Sequence, residues 1–174
     1  MNAEQLIPVL ASTVGAATPL VYASLGELIT ERAGVLNLGV EGMMLVGAIA
    51  AFAVTSQTGS LGIGFAAGMA AGMALSLLFG FLTLTLQANQ VATGLALTLF
   101  GVGLSAFIGR DFVGTVVDGL KGLSIPVLGD IPLIGPLLFR FDPLVYASIA
   151  LFLLMQWFLA RTHAGLDPAS AAAR

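Results

Sequence analysis

Residues 61–80 read LGIGFAAGMAAGMALSLLFG, a run of twenty residues with no charged side chain. An α-helix rises about 1.5 Å per residue, so this run covers the roughly 30 Å hydrocarbon core of a bilayer. The run also carries a small residue at every fourth position from residue 64 to residue 80. Small residues at this spacing let helices approach closely in lipid. The stretch therefore predicts a membrane-spanning helix that packs tightly against more than one neighbour. The small residues predicted to make this packing are Gly64, Gly68, Gly72, Ser76 and Gly80.

The composition of the whole chain extends this interpretation. Only 9% of its 174 residues are charged and 58% are hydrophobic, whereas soluble domains carry roughly 25% charge. Intrinsic disorder requires low hydrophobicity, and nucleic-acid binding requires a basic face, which six Lys and Arg residues on a chain of net charge −3 do not supply. The composition therefore excludes a soluble domain, a disordered chain and a nucleic-acid-binding protein.

Several chemistries are also excluded by residue type. The chain has no cysteine and one histidine, His163, which rules out disulfides, thiolate catalysis and a multi-histidine metal site. Its only lysine, Lys121, follows Leu120, whereas a phosphate-binding loop needs a glycine at that position. No catalytic set of His, Ser and Asp is evident. We therefore expect no enzymatic activity, no metal and no cofactor in this chain.

Five stretches are long and apolar enough to cross a bilayer. They predict an all-α, polytopic bundle of about five transmembrane helices, with a long loop at residues 110–141 between the fourth and the fifth. Three prolines and Asp130 argue against another span in this loop, although a simple connector remains an alternative. Cations divide three against three between the two sides, so the positive-inside rule does not orient the chain. The predicted spans cover residues 5–26, 33–54, 61–86, 91–109 and 142–161.

One charge lies inside the predicted spans. Glu41 is the only charged residue between Arg32 and Arg110, and Asn37 precedes it by four residues. This spacing places both side chains on one face of a helix. An acid within a span costs a few kcal/mol, so it should face the bundle interior or a wet cavity. Three nearby glycines suggest a broken or closely packed helix, namely Gly34, Gly39 and Gly42.

Two interpretations of these polar residues remain open. Discontinuous helices build the binding sites of many transporters, which would place Asn37 and Glu41 in a substrate pathway. Equally, both side chains could serve a structural role by satisfying backbone groups freed at the break. A second polar cluster, Asn89, Gln90 and Thr93, lies at the turn before the fourth span. Capping of that helix is the favoured explanation, and a place in the pathway is the alternative.

Residues 31–44, ERAGVLNLGVEGMM, resemble a signature of the permease subunits of ABC importers. The resemblance is strongest to the branch that serves nucleosides and simple sugars, and more distant to branched-chain amino acid permeases. Residues 89–94, NQVATG, resemble the same branch, as does the loop at 126–139 followed by DPLVY at 142–146. The resemblance covers residues 10–166.

This resemblance implies a multi-pass plasma-membrane subunit that carries a nucleoside or simple sugar. Its partners would be a second permease subunit, cytosolic ATP-binding subunits that hydrolyse the ATP, and an extracytoplasmic substrate-binding protein. The loop at 110–141 and the N-terminus would lie outside, and the turn at Asn89 and the segment after Arg161 inside. Residues 1–166 would form the N-terminal part of the permease domain. Residues 167–174 do not resemble its continuation, which suggests a truncated permease. A self-sufficient oligomeric channel or secondary carrier is the alternative.

Overall fold

Five long helices make up most of the computed structural model, which describes residues 3–120, 122 and 141–161. Each helix is long and apolar enough to cross a membrane, and the described residues contain no β-strand. The predicted all-α fold with five spans is therefore confirmed. The helices are α1 (Ala3–Arg32), α2 (Val40–Thr58), α3 (Leu61–Gly80), α4 (Gln90–Gly109) and α5 (Pro143–Arg161).

Local sequence explains where these helices begin and end. Gly59 has a φ of +69° and its N–H donates to the Thr55 carbonyl at 2.8 Å. A left-handed glycine of this kind commonly ends a helix. The Ser60 side chain then caps α3 by accepting from the backbone N–H of Ile63. α5 begins at Pro143, where a missing N–H costs nothing because no helical carbonyl precedes it.

The chain divides into two compact units. One unit contains α1 and α5, which are joined by a 2.8 Å hydrogen bond from the Tyr22 hydroxyl to the Leu144 carbonyl. Leu25, Val145 and Ser148 are buried in this unit. α1 is longer than the predicted span at 5–26, since it continues to Arg32.

The other unit, residues 33–119, contains α2, α3 and α4. Its core is apolar and draws side chains from all three helices. Val35, which precedes α2, also packs on this core, so the connecting segment before α2 is part of the packed unit. The buried core residues are Met43, Val46, Leu75, Phe79 and Leu97.

α3 packs on α2 through two of the predicted small residues. A Cβ built on Gly68 would lie 2.8 Å from the Gly47 carbonyl oxygen, and one on Gly64 would lie 2.7 Å from the Ala51 oxygen and would collide with the Thr55 hydroxyl. The other predicted positions are less crowded. A Cβ on Gly72 would meet only one atom, at 4.0 Å, a Cβ on Gly80 would meet none within 4 Å among the described residues, and Ser76 is exposed.

A π-helical turn, Phe81–Thr85, extends α3 to the end of the predicted third span. Thr83 in this turn is buried and donates to the Phe79 carbonyl at 2.8 Å. The backbone then reverses through Gln87, whose φ of +56° is unusual for a residue with a side chain.

The prediction that the second span begins at residue 33 is wrong. Residues 33–39 are not helical, and α2 starts only at Val40. Gly34 has a φ of +81° and ends α1, while the Asn37 side chain accepts the Gly39 N–H within a local turn. Most of the predicted loop, residues 123–140, and the predicted tail at 167–174 lie outside the described residues.

Candidate functional site

The non-helical residues 33–39, here called the interrupted segment, lie against the first half of α4. A Cβ built on Gly94 would be 2.8 Å from the Leu38 nitrogen and 3.0 Å from the Gly39 nitrogen. Gly94 and Thr98 follow the first residue of α4 by four and eight positions, which is about 6 and 12 Å along the helix. The segment therefore extends from the end of a spanning helix toward its middle. Beside a helix that crosses a membrane, non-helical backbone is tolerated only inside protein or next to water.

Two side chains of α4 hold the backbone of the interrupted segment. The Gln90 side-chain oxygen accepts the Leu36 N–H at 2.8 Å. The Thr98 hydroxyl donates to the Leu38 carbonyl at 2.8 Å. Both bonds join residues more than fifty positions apart in sequence, and they satisfy one donor and one acceptor that the break in the helix releases. The segment is thus fixed by tertiary contacts.

Asn37 contributes a third bond from within the segment. Its Oδ1 accepts the Gly39 N–H at 2.9 Å, and its Nδ2 lies 3.6 Å from the Met43 sulfur. Asn37 is 7% exposed. The predicted arrangement of Asn37 and Glu41 on one helix face is wrong because Asn37 precedes α2. Its position instead matches the structural interpretation, in which it satisfies a backbone group at the break.

Glu41 lies in the first turn of α2 and is exposed. The residue before the helix is Gly39, so no side chain caps this N-terminus. A carboxylate in the first turn is favoured by the partial positive charge of the helix N-terminus. Glu41 therefore occupies an electrostatically favourable position beside the interrupted segment without being buried in this unit.

The three residues of the predicted polar cluster at the start of α4 have different roles. The Asn89 side chain caps α4 by accepting the Ala92 N–H at 3.0 Å, which was the favoured explanation for this residue. Gln90 instead bonds the interrupted segment. Thr93 is half-buried one turn along, and its backbone N–H donates to the Asn89 carbonyl at 2.9 Å.

Close backbone contacts at glycines allow these hydrogen bonds to form. A Cβ on Gly42 would lie 2.7 Å from the Thr98 Cα, and one on Gly101 would lie 2.7 Å from the Gly42 carbonyl carbon. The hydrogen bond of Thr98 was missed because nothing in its local sequence shows which carbonyl its hydroxyl meets.

The family described as "branched-chain amino acid transport system / permease component" matches residues 9–169. The chain belongs to this permease family. Three curated relatives are similar to the permease chain. A protein assigned as a glucose ABC transporter permease in Haloferax volcanii is 45% identical over 160 residues, which are 90% of this chain and 49% of that protein.

The other two relatives are named for nucleosides. A guanosine ABC transporter permease of Bacillus subtilis is 31% identical over 95% of this chain and 56% of its own length. A nucleoside ABC transporter permease of Lactococcus lactis is 29% identical over 86% of this chain and 50% of its own length. The chain thus spans about half the length of the curated relatives it matches. No solved structure matches the chain.

Family membership and the five membrane-capable helices place the permease chain in the plasma membrane as a multi-pass protein. The relatives are permease subunits of ABC transporters. Within residues 3–120, 122 and 141–161, no group of three or more His, Asp or Glu side chains is placed to hold a metal ion.

Proposed function

We propose that the chain is a transmembrane subunit of an ABC importer and forms part of the translocation path for a nucleoside or simple sugar. The similarity to glucose, guanosine and nucleoside permeases supports this substrate class. Residues 1–166 provide the N-terminal part of the transmembrane domain in this proposal.

The interrupted segment is the structural observation that carries the proposal. Many transporters bind their substrates where a helix is interrupted near the middle of the membrane, and residues 33–39 are such a non-helical stretch, with its backbone held by side chains of the chain itself. Here the break lies beside α4 at a depth of up to about 12 Å along that helix. Of the five predicted pathway residues, Asn37, Asn89 and Gln90 support the backbone beside the path through their side-chain hydrogen bonds. Glu41 and Thr93 are the candidates for contact with the solute in this proposal.

Transport would proceed by alternating access, with the helix bundle opening to each side in turn. ATP hydrolysis belongs to a separate subunit in this proposal, since Lys121 is the only lysine and lacks the phosphate-loop context. The chain would work with a second permease subunit, cytosolic ATP-binding subunits and an extracytoplasmic substrate-binding protein. Its own contribution is then to line the path and to change conformation.

Affinity purification from native membranes tests the proposed assembly. We expect the tagged, full-length chain to co-purify with an ATP-binding subunit and a second permease chain. The complex, reconstituted with its binding protein, should take up labelled glucose, ribose or guanosine only when ATP is supplied. Uptake by the chain alone without ATP would contradict the proposal and favour a channel or secondary carrier.

A further inference from the structure

We infer that Thr98 is a positioning residue, which holds the interrupted segment on α4 and so keeps the proposed translocation path in its binding-competent form. Its partner in this role is Gln90, which bonds the same segment two residues earlier. The consequence for transport rests on the proposed function, whereas the positional role rests on the geometry alone.

The hydrogen bond of Thr98 differs from those of other threonines in the chain. A threonine within a helix commonly bonds the carbonyl four residues earlier in the same helix. Five described threonines follow this pattern, whereas the Thr98 hydroxyl donates to Leu38, sixty residues away. The threonines that bond their own helix are Thr13, Thr18, Thr55, Thr58 and Thr83.

The partner of Thr98 is also unusual. The Leu38 carbonyl belongs to the non-helical backbone before α2. It therefore accepts no helical hydrogen bond from a backbone N–H later in the same segment. A carbonyl without a donor is costly inside a membrane, and the Thr98 hydroxyl supplies that donor. The neighbouring Gly94 brings the two backbones close enough for this bond, because any side chain there would meet the Leu38 nitrogen.

Substitutions at Thr98 separate the hydroxyl from the shape of the side chain. Thr98→Val keeps the branched shape and loses the donor, whereas Thr98→Ser keeps the donor and loses a methyl group. Thr58→Val is the control for loss of a threonine hydroxyl away from the interrupted segment, because Thr58 donates to Val54 in its own helix and accepts from the Ser60 N–H at 3.3 Å. Only the first variant should release the interrupted segment.

Cysteine labelling reports the release directly, since the natural chain has no cysteine. A single cysteine at Leu36, which is 39% exposed, should react with a maleimide about threefold to tenfold faster in the Thr98→Val background, given the usual strength of such bonds in membranes. The rate in Thr98→Ser and Thr58→Val should match the unsubstituted chain. A reporter cysteine at Leu61, at the start of α3, should be unaffected. Equal rates at Leu36, or faster labelling at both reporters, would overturn the positioning role.

Uptake by the reconstituted complex tests the functional consequence. Thr98→Val should raise the KM for substrate at least about threefold with little change in maximal rate, and Thr98→Ser should restore the KM. An unchanged KM alongside faster labelling would overturn the link to transport. If the unsubstituted complex shows no uptake, the proposed function fails, whereas the labelling comparison still decides whether Thr98 positions the segment.

Discussion

Gly42 of α2 and Gly101 of α4 meet backbone to backbone. A Cβ added to Gly101 would lie 2.7 Å from the Gly42 carbonyl carbon, a separation that no real Cβ contact sustains. Both glycines are buried. This crossing sets the distance between the two helices, and it lies just beyond the interrupted segment that Gln90 and Thr98 hold.

Replacement of Gly101 should therefore destabilise the fold. Alanine favours a helix over glycine by up to about 1 kcal/mol, but overpacking against backbone atoms that cannot move aside costs about 1–3 kcal/mol. We expect Gly101→Ala to lower the thermal unfolding temperature of the detergent-solubilised chain. Gly103→Ala is the control, because its Cβ would meet nothing within 4 Å among the described residues. Equal stability of the two variants would contradict the close crossing.

The small residues of α3 should differ in their sensitivity to substitution. Gly68→Ala should lower the unfolding temperature, because its Cβ would press on the Gly47 carbonyl at 2.8 Å and the Ala51 Cβ at 2.9 Å. Gly80→Ala should be neutral or slightly stabilising within this chain, since the site is open. Among the predicted small residues, the closest approaches lie at Gly64 and Gly68, whereas a Cβ on Gly72 would meet only one atom, at 4.0 Å. Melting curves of the two variants in one detergent provide the comparison, and a destabilised Gly80→Ala beside an unchanged Gly68→Ala would reverse the assignment.

Glu41 should matter more to transport than to stability. Because it is exposed in the first turn of α2, Glu41→Gln should leave the unfolding temperature nearly unchanged, with a loss of at most about 1 kcal/mol from the helix dipole. If Glu41 lines the path, the same variant should reduce ATP-dependent uptake. Normal uptake across a range of pH would show that its charge has no role in transport, and Glu31→Gln, at the exposed end of α1, is the control.

The membrane orientation remains a prediction from the family resemblance. Cysteines placed at Val116, which follows α4, and at Arg161, which ends α5, should react with an impermeant maleimide from opposite sides of the membrane. We expect Val116 to label from outside in intact cells and Arg161 only after permeabilisation. Labelling of both positions from the same side would show that the predicted topology is incorrect.

Sequence alone predicted the features that depend on local composition. Uninterrupted apolar stretches must become helices in a membrane, because a helix satisfies its own backbone hydrogen bonds. The predicted starts at residues 61, 91 and 142 lie within one residue of the observed starts of α3, α4 and α5. Capping by Ser60 and Asn89 and the proline at 143 act within a few residues, which explains this agreement. The family signature at residues 31–44 likewise required no structure to be noticed.

Tertiary structure determined the conformation of residues 33–39. Their sequence is apolar enough to continue a helix, and the glycines there suggested a break without locating it. The break is stable because Gln90 and Thr98, more than fifty residues later, supply hydrogen bonds that the helix would otherwise make for itself. The sequence also did not show which of the small residues pack against another helix. A four-residue spacing places them on one helix face but does not specify which helix lies against that face. Contacts of this kind depend on how distant segments meet, so no local pattern could specify them.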